Sequence, residues 1–281
     1  MLLLVDLDGV VYRQAEAVPG VASVLAARAA AGDDVVYVTN NATVYHADYL
    51  PRLAGHGAPV GPDRVITSAR ASAVWIRDQM PGVQRVLAVG ASGLERELRE
   101  AGFDVVTAGH AATRMHQEGI DGWAAAGHPD AVVVGLDPHM SYLRVAAAAD
   151  CVRAGAALIA TNRDPVYPTE QGYRPGAGSV VAAIATAART EPRVVIGKPG
   201  PYLLELGARV AGADPATAVM IGDSLTDVAA GRAVGAQTVL MLTGVTTRAM
   251  ADALPASERP TRIAEDAAAL DRALGELAAG D

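Results

Sequence analysis

The sequence predicts an α/β fold of parallel sheets, with a second α/β unit inserted into the first. Three observations predict it. Short Val-, Leu- and Ile-rich runs alternate with longer Ala-rich stretches along the chain. Those runs are apolar on both faces, as strands covered by helices on either side must be. Polar residues of a chemical kind collect just after particular runs. In open parallel sheets that edge is where ligands bind.

The strands are expected at 2–5, 34–38, 86–89, 131–134, 157–160, 194–196, 218–221 and 238–242. Helical patterns fill 21–31, 42–56, 93–101, 142–154, 179–189, 201–211 and 226–234. Asp6 and Asp8 follow the first strand, Thr39 and Asn40 the second, and Lys198 and Asp223 two of the last three. The stretch from about 83 to 189 has its own strand–helix alternation and none of this chemistry. Turn-prone pairs, Pro81 with Gly82 and Glu191 with Pro192, flank it. The expected division is therefore a core of 1–81 and 192–281, carrying an inserted domain of 82–191.

With 281 residues, the chain exceeds a typical single domain. Aromatic residues are only 4%, so the core must be aliphatic. A net charge of −8 without a basic run excludes nucleic-acid binding by phosphate neutralisation. No apolar run approaches membrane-spanning length, and a single cysteine, Cys151, leaves no internal disulfide. Together these point to a cytoplasmic protein with no membrane partner.

The run Leu2-Leu-Leu-Val-Asp6-Leu-Asp8-Gly9 ends a strand in two carboxylates spaced i, i+2. Displacing a phosphoester needs a nucleophile on one side and a proton donor for the leaving oxygen on the other. Two carboxylates can divide those roles when their surroundings separate their pKa values. Gly9 lets the backbone approach a ligand closely. An ordinary Asp-rich turn accounts for the same residues taken alone. Thr39, Asn40 and Asn41 suit phosphate oxygens, and each also suits a helix N-cap. Lys198 lies in Gly197-Lys-Pro-Gly, a loop shaped well enough to hold a cation, or simply a surface loop. Asp223 and Asp227 follow another apolar run. Mg²⁺ takes one or two carboxylates plus phosphate oxygens, so Asp6, Asp223 and a backbone carbonyl of Asp8 make a candidate site. Asp227 can orient a metal-bound water, pair with Lys198, or stabilise the start of a helix.

This ordered set resembles the haloacid dehalogenase (HAD) superfamily, whose four motifs match from Asp6 to Asp227. Asp6-Leu-Asp-Gly-Val, Thr39-Asn-Asn, Ala160-Thr-Asn-Arg-Asp164, Gly197-Lys-Pro and Leu242-Thr-Gly-Val are similar to the NagD or 4-nitrophenyl phosphatase-like branch. The resemblance implies a Rossmann-like core with a C2-type α/β cap. It implies a Mg²⁺-dependent phosphatase acting through an aspartyl phosphate on a small phosphorylated metabolite: glycerol phosphate, phosphoglycolate, a sugar phosphate or a nucleoside monophosphate. By position, Asp6 is the nucleophile and Asp8 the general acid/base. Thr39 and Lys198 bind the phosphoryl group, Gly9 and Asn40 lie on the phosphate side, and Asp223 holds the metal. Asn162, Arg163, Asp164 and Arg174 are the cap residues placed to choose substrate, and a cap-mediated homodimer is the implied assembly. One departure is the spacing of Asp223 and Asp227, one residue shorter than the branch usually has.

A receiver-type phospho-acceptor combines Asp, Thr and Lys at strand ends too, but needs about half this chain and no second aspartate at Asp8. A phosphomutase would share the site, and a dehalogenase would not need Asp8 or the metal aspartates. A capped fold kept only for binding would not need the chemical set. The stretch 107–129 holds His110, His116 and His128 at irregular spacing, which reads as a solvated insertion rather than a metal site. Gly90 to Gly93 lacks the full dinucleotide-binding glycine pattern and reads as a plain turn.

Overall fold

The computed structural model describes residues 1–125, 127–169 and 171–280. Contacts gather the chain into two compact units. The first comprises Met1–Thr39, Ala47–Ile66 and Lys198–Asp281, and the second Asn40–His46 and Thr67–Gly197. Exchange near 81 and 192 would divide the chain differently, because helix Ser68–Gln79 groups with the second unit.

The first unit is organised by a six-stranded sheet with parallel pairings. Its order is Arg262–Ala264, Gln237–Met241, Val219–Gly222, Leu2–Val5, Asp34–Thr39, Val65–Thr67. Leu2–Val5 is buried throughout, which is why its sequence shows no polar alternation. Helices Tyr202–Ala211, Leu225–Ala233 and Ala267–Ala279 pack on the sheet. The register sets the site: Val5 aligns with Ile221 on one side and Tyr37 on the other. Asp6, at the next step, thus emerges between the ends of the two strands that lead to Asp223 and Thr39.

The second unit has a five-stranded parallel sheet ordered Val194–Val195, Ala157–Ala160, Ala131–Val134, Arg85–Val89, Asp104–Thr107. Its core joins Leu87, Val89, Val132, Val134, Cys151 and Ile184. Burial pushes the Cys151 thiol up to about 12, as suits an inert packing residue.

Two expectations are corrected. The segment 107–129 is mostly helix Ala108–Ala125, with Ala111, Met115 and Trp123 in the core of the second unit. The apolar spacing was masked by two exposed histidines, His110 and His116, and by Gly119, whose φ of 74° interrupts the helix. The pattern at 42–56 is not one helix. Asn41 Oδ1 accepts from Thr43 N (2.8 Å) and Thr43 Oγ1 (2.7 Å), a local turn that competes with helix. A 3-10 turn at His46–Tyr49 and helix Leu50–Gly55 follow it. Strands Val65–Thr67, Asp104–Thr107 and Arg262–Ala264 have three or four residues each, too short to stand out as apolar runs.

Candidate active site

Asp6 and Asp223, at strand ends of the first unit, meet Lys198 and Asp227, the latter in the first turn of helix Leu225–Ala233. Lys198 Nζ lies 2.8 Å from Asp6 Oδ1 and 2.6 Å from Asp227 Oδ1, and donates to Val38 O at 3.1 Å. Lys198 is 2% exposed, so its ammonium charge is held almost without water. The Lys198–Pro199 peptide is cis. Its two carboxylate partners raise the pKa of Lys198 although burial opposes them, which keeps the side chain a cation.

Asp227 has a settled arrangement. One oxygen faces Lys198, and the other accepts from Ser224 N (3.0 Å) and Ser224 Oγ (2.6 Å). Ser224 in turn caps the helix through Asp227 N. Of the readings open to Asp227, pairing with Lys198 and stabilising the helix start are both present. This capping box was legible in the spacing from Ser224 to Asp227.

Asp223 is held from above. Val245 N donates to Asp223 Oδ2 at 2.8 Å, and Thr246 N to Asp223 O at 3.2 Å. The close approach depends on glycine. A Cβ at Gly244 would stand 1.8 Å from Asp223 Oδ2, and one at Gly9 would stand 2.2 Å from it. Gly9 also has φ +81°, a conformation that side chains disfavour. Thr243 Oγ1 donates to Gly9 O at 2.6 Å, fixing the turn after Asp8. Thr243 and Ser224 had no assigned role in the sequence; Leu242-Thr-Gly-Val was the nearest signal for Thr243.

Asp6, Asp223 and Asp227 each offer an oxygen within 4.8 Å of the others. Burial raises the pKa of Asp6 well above the usual range; Lys198 opposes that, while Asp227 and Asp223 add to it. Burial also pushes Asp223 up to about 6, with the Asp227 charge next in effect. Three buried carboxylates therefore share one ammonium. The uncompensated charge and the hard oxygen donors fit a divalent cation such as Mg²⁺. Both oxygens of Asp227 are engaged, so Asp6 and Asp223 are the side chains placed to hold it.

Asp8 differs from its neighbour. It is exposed, whereas Asp6 is buried. Partial desolvation of its carboxylate still raises its pKa, against the pull of Arg52 and then Lys198. A carboxyl that holds a proton more readily than usual and opens to solvent can deliver and recover one. Thr39 is buried at the end of its strand.

The remaining predicted residues belong to the second unit. Asn40 Nδ2 donates to Asp164 Oδ2 (3.0 Å), and Asn40 O accepts from Ser68 Oγ (2.6 Å) and Asn162 Nδ2 (2.8 Å). Asn162 Oδ1 accepts from Asp164 N at 3.0 Å. These three residues thus form one hydrogen-bonded knot. Arg163 pairs with exposed Glu191. Arg174 bonds Gln171 at 3.0 Å in the exposed hairpin Val166–Thr169 with Gly172–Pro175. The four cap candidates therefore do not form a single cluster.

Comparisons with known proteins show the family and the fold. A family model described as haloacid dehalogenase-like hydrolase matches residues 3–104, and a HAD-hydrolase-like model matches residues 195–270. The chain is 35% identical over 261 residues to the glycerol-3-phosphate phosphatase of Mus musculus, covering 86% of this chain and 79% of that one. A p-nitrophenyl phosphatase from Archaeoglobus fulgidus superposes with a TM-score of 0.84 at 29% identity, over 97% of this chain and 98% of that one. A glycerol phosphate phosphatase from Mycobacterium tuberculosis, solved in complex with magnesium, gives 0.80 at 33% identity, over 96% and 75%.

Proposed function

Since the chain belongs to the haloacid dehalogenase-like hydrolases and is a phosphomonoesterase of their p-nitrophenyl phosphatase branch, we propose that Asp6 is its nucleophile and Asp8 its proton donor. The observation that carries this reading is the Lys198 ammonium lodged between Asp6 and Asp227, beside Asp223 and with little water. It sets a cation against both the attacking carboxylate and the place where a phosphoryl group must sit.

Asp6 attacks phosphorus and the ester oxygen leaves, taking a proton from Asp8. Asp8, now ionised, removes a proton from water, which attacks the aspartyl phosphate and releases inorganic phosphate. Lys198 and the Thr39 hydroxyl bind the phosphoryl oxygens, and Gly9 leaves the backbone room for them. Asp227 orients Lys198 and carries no chemistry of its own. Asp6, Asp223 and the backbone carbonyl of Asp8 would hold Mg²⁺, which would neutralise charge at the phosphoryl group.

The substrate is a small phosphorylated metabolite, and glycerol phosphate is the first ester to test, given the names of the two relatives above. Phosphoglycolate, sugar phosphates and nucleoside monophosphates complete the panel. Phosphate release is expected with Mg²⁺ and none with EDTA, restored on adding Mg²⁺. A chain that is phosphorylated once without repeated release would instead be a receiver-like acceptor, and turnover indifferent to chelation would remove the metal from the scheme. We assign the enzyme to the cytoplasm; among the described residues no helix is long and apolar enough to cross a membrane.

A further inference from the structure

A wall of the first unit beside Asp8 carries polar groups that hydrolysis does not use. Tyr12 and Tyr49 are 1% and 3% exposed, and their hydroxyls have no hydrogen-bond partner among the described residues. Arg52 Nη2 and His56 Nε2 are also buried without a partner. Arg52, Tyr12 and His56 pack on one another, and the charge of Arg52 also reaches the Tyr49 hydroxyl. The Arg52 guanidinium stacks 3.4 Å over the Tyr12 ring, and the His56 ring lies 6.0 Å from that ring. Tyr12 is brought back against the Asp8 turn, where Gly9 N donates to Tyr12 O at 2.7 Å. Arg52 and His56 line a cavity of about 640 Å³ with Gln14, Ala15 and Gly55.

A buried donor left without an acceptor costs about 1–3 kcal/mol, and more when charged. Here a guanidinium, which can only donate, stands with two hydroxyls and an imidazole that can each donate. No carboxylate closes on Arg52 to ion-pair distance among the described residues. What such a wall lacks is an oxyanion. Its place also matters: Arg52 is the cation acting most strongly on Asp8, ahead of Lys198, and the charge of Asp8 reaches both tyrosines. On the phosphatase reading Asp8 protonates the leaving oxygen, so the group attached to that oxygen would come within reach of the Arg52 charge.

We propose that Arg52, with the Tyr12 and Tyr49 hydroxyls and His56, forms an oxyanion subsite that receives a carboxylate or second phosphate carried by the leaving group. The proposal rests on the phosphatase reading above and deepens it. A fixed guanidinium gains more from planar, bidentate oxyanions than from a neutral hydroxyl.

The test compares two esters of equal size, phosphoglycolate and 2-hydroxyethyl phosphate, with the full chain and Mg²⁺. The wild type should favour the carboxylate ester by about tenfold or more in kcat/KM, mostly through KM. Arg52→Gln should lower that ratio roughly tenfold, Arg52→Lys should restore part of it, and Tyr49→Phe should lower it about threefold. A wild-type ratio near unity, or a ratio unchanged in these variants, overturns the subsite. Should Arg52→Gln fail to fold, the Lys and Phe variants carry the decision. Free acetate that inhibits 2-hydroxyethyl phosphate turnover while the ester ratio stays at unity assigns the wall to a free anion and overturns the substrate role. Failure of the wild type on both esters and on p-nitrophenyl phosphate would instead remove the phosphatase reading itself.

Discussion

Both units are parallel sheets with a buried aspartate just beyond a strand end, yet only one of them concentrates chemistry. In the second unit Asp137 follows Ala131–Val134 and is matched by its own cation. Arg144 Nη1 lies 2.7 Å from each of its oxygens, and His139 N donates to Oδ1 at 2.9 Å. In the first unit Asp6, Asp223 and Asp227 face the single ammonium of Lys198. A balanced buried pair holds structure. A surplus of buried negative charge calls for a positive counter-charge from outside, which a divalent cation supplies. The shared architecture did not decide this; the ratio of carboxylates to cations did.

The largest test of that contrast is Asp6→Asn. It removes the proposed nucleophile with little change in volume, so phosphate release should fall by about 10⁴-fold or more, roughly 5 kcal/mol in the barrier. The thermal midpoint should hold or rise, because one surplus buried charge is gone. Wild-type turnover in a clean preparation would end the mechanism.

Next in size is a pH effect. The folded pKa of Asp223 lies above its ordinary value, so its contribution to stability is present below about pH 3.8 and lost as pH rises through about 6. In the metal-free protein that loss is roughly 3 kcal/mol. Mg²⁺ binds the ionised form, so its stabilising shift in thermal midpoint should be larger at about pH 7.5 than at about pH 5. Equal shifts at the two pH values would contradict the charge-surplus account.

The converse test lies in the second unit. Asp137→Asn breaks the balanced pair and should cost about 2 kcal/mol of stability, read by denaturant melts, since Arg144 is left partly buried without its partner. Turnover per folded molecule should not change; a selective loss of kcat would give Asp137 a catalytic part that its pairing does not suggest. The smallest effect belongs to Ser224→Ala. It removes a cap worth about 1 kcal/mol and leaves Asp227 with Lys198 alone, so stability should drop more clearly than turnover.

Much of the first unit was legible from pattern. Strands apolar on both faces can only be buried, and Asp6, Lys198 and Asp223 stood out because charge immediately after such a run has no packing reason to be there. Less legible were residues whose role lies in what they omit or complete. Gly244 matters because a methyl group there would meet Asp223, and nothing in the letters Thr-Gly-Val says which carboxylate lies above. The helix at Ala108–Ala125 was hidden by polar residues on its outer face. The capping box at Ser224 was readable from spacing, yet its second duty, aiming Asp227 at Lys198, was not.

The amino-acid order by itself determined the alternating α/β layout and the position of Asp6 and Asp8 just after the first strand, while the resemblance of motifs implied their proposed roles and the reaction class. The layout follows from periodicity and local spacing, which the chain carries within a few residues. Only the tertiary structure decided that Asp227 serves Lys198, that three carboxylates share one cation, and that Arg52 Nη2 and the Tyr12 and Tyr49 hydroxyls lack hydrogen-bond partners among the described residues. Charge balance and hydrogen-bond satisfaction depend on distances between residues far apart in the chain, and the fold alone sets those distances.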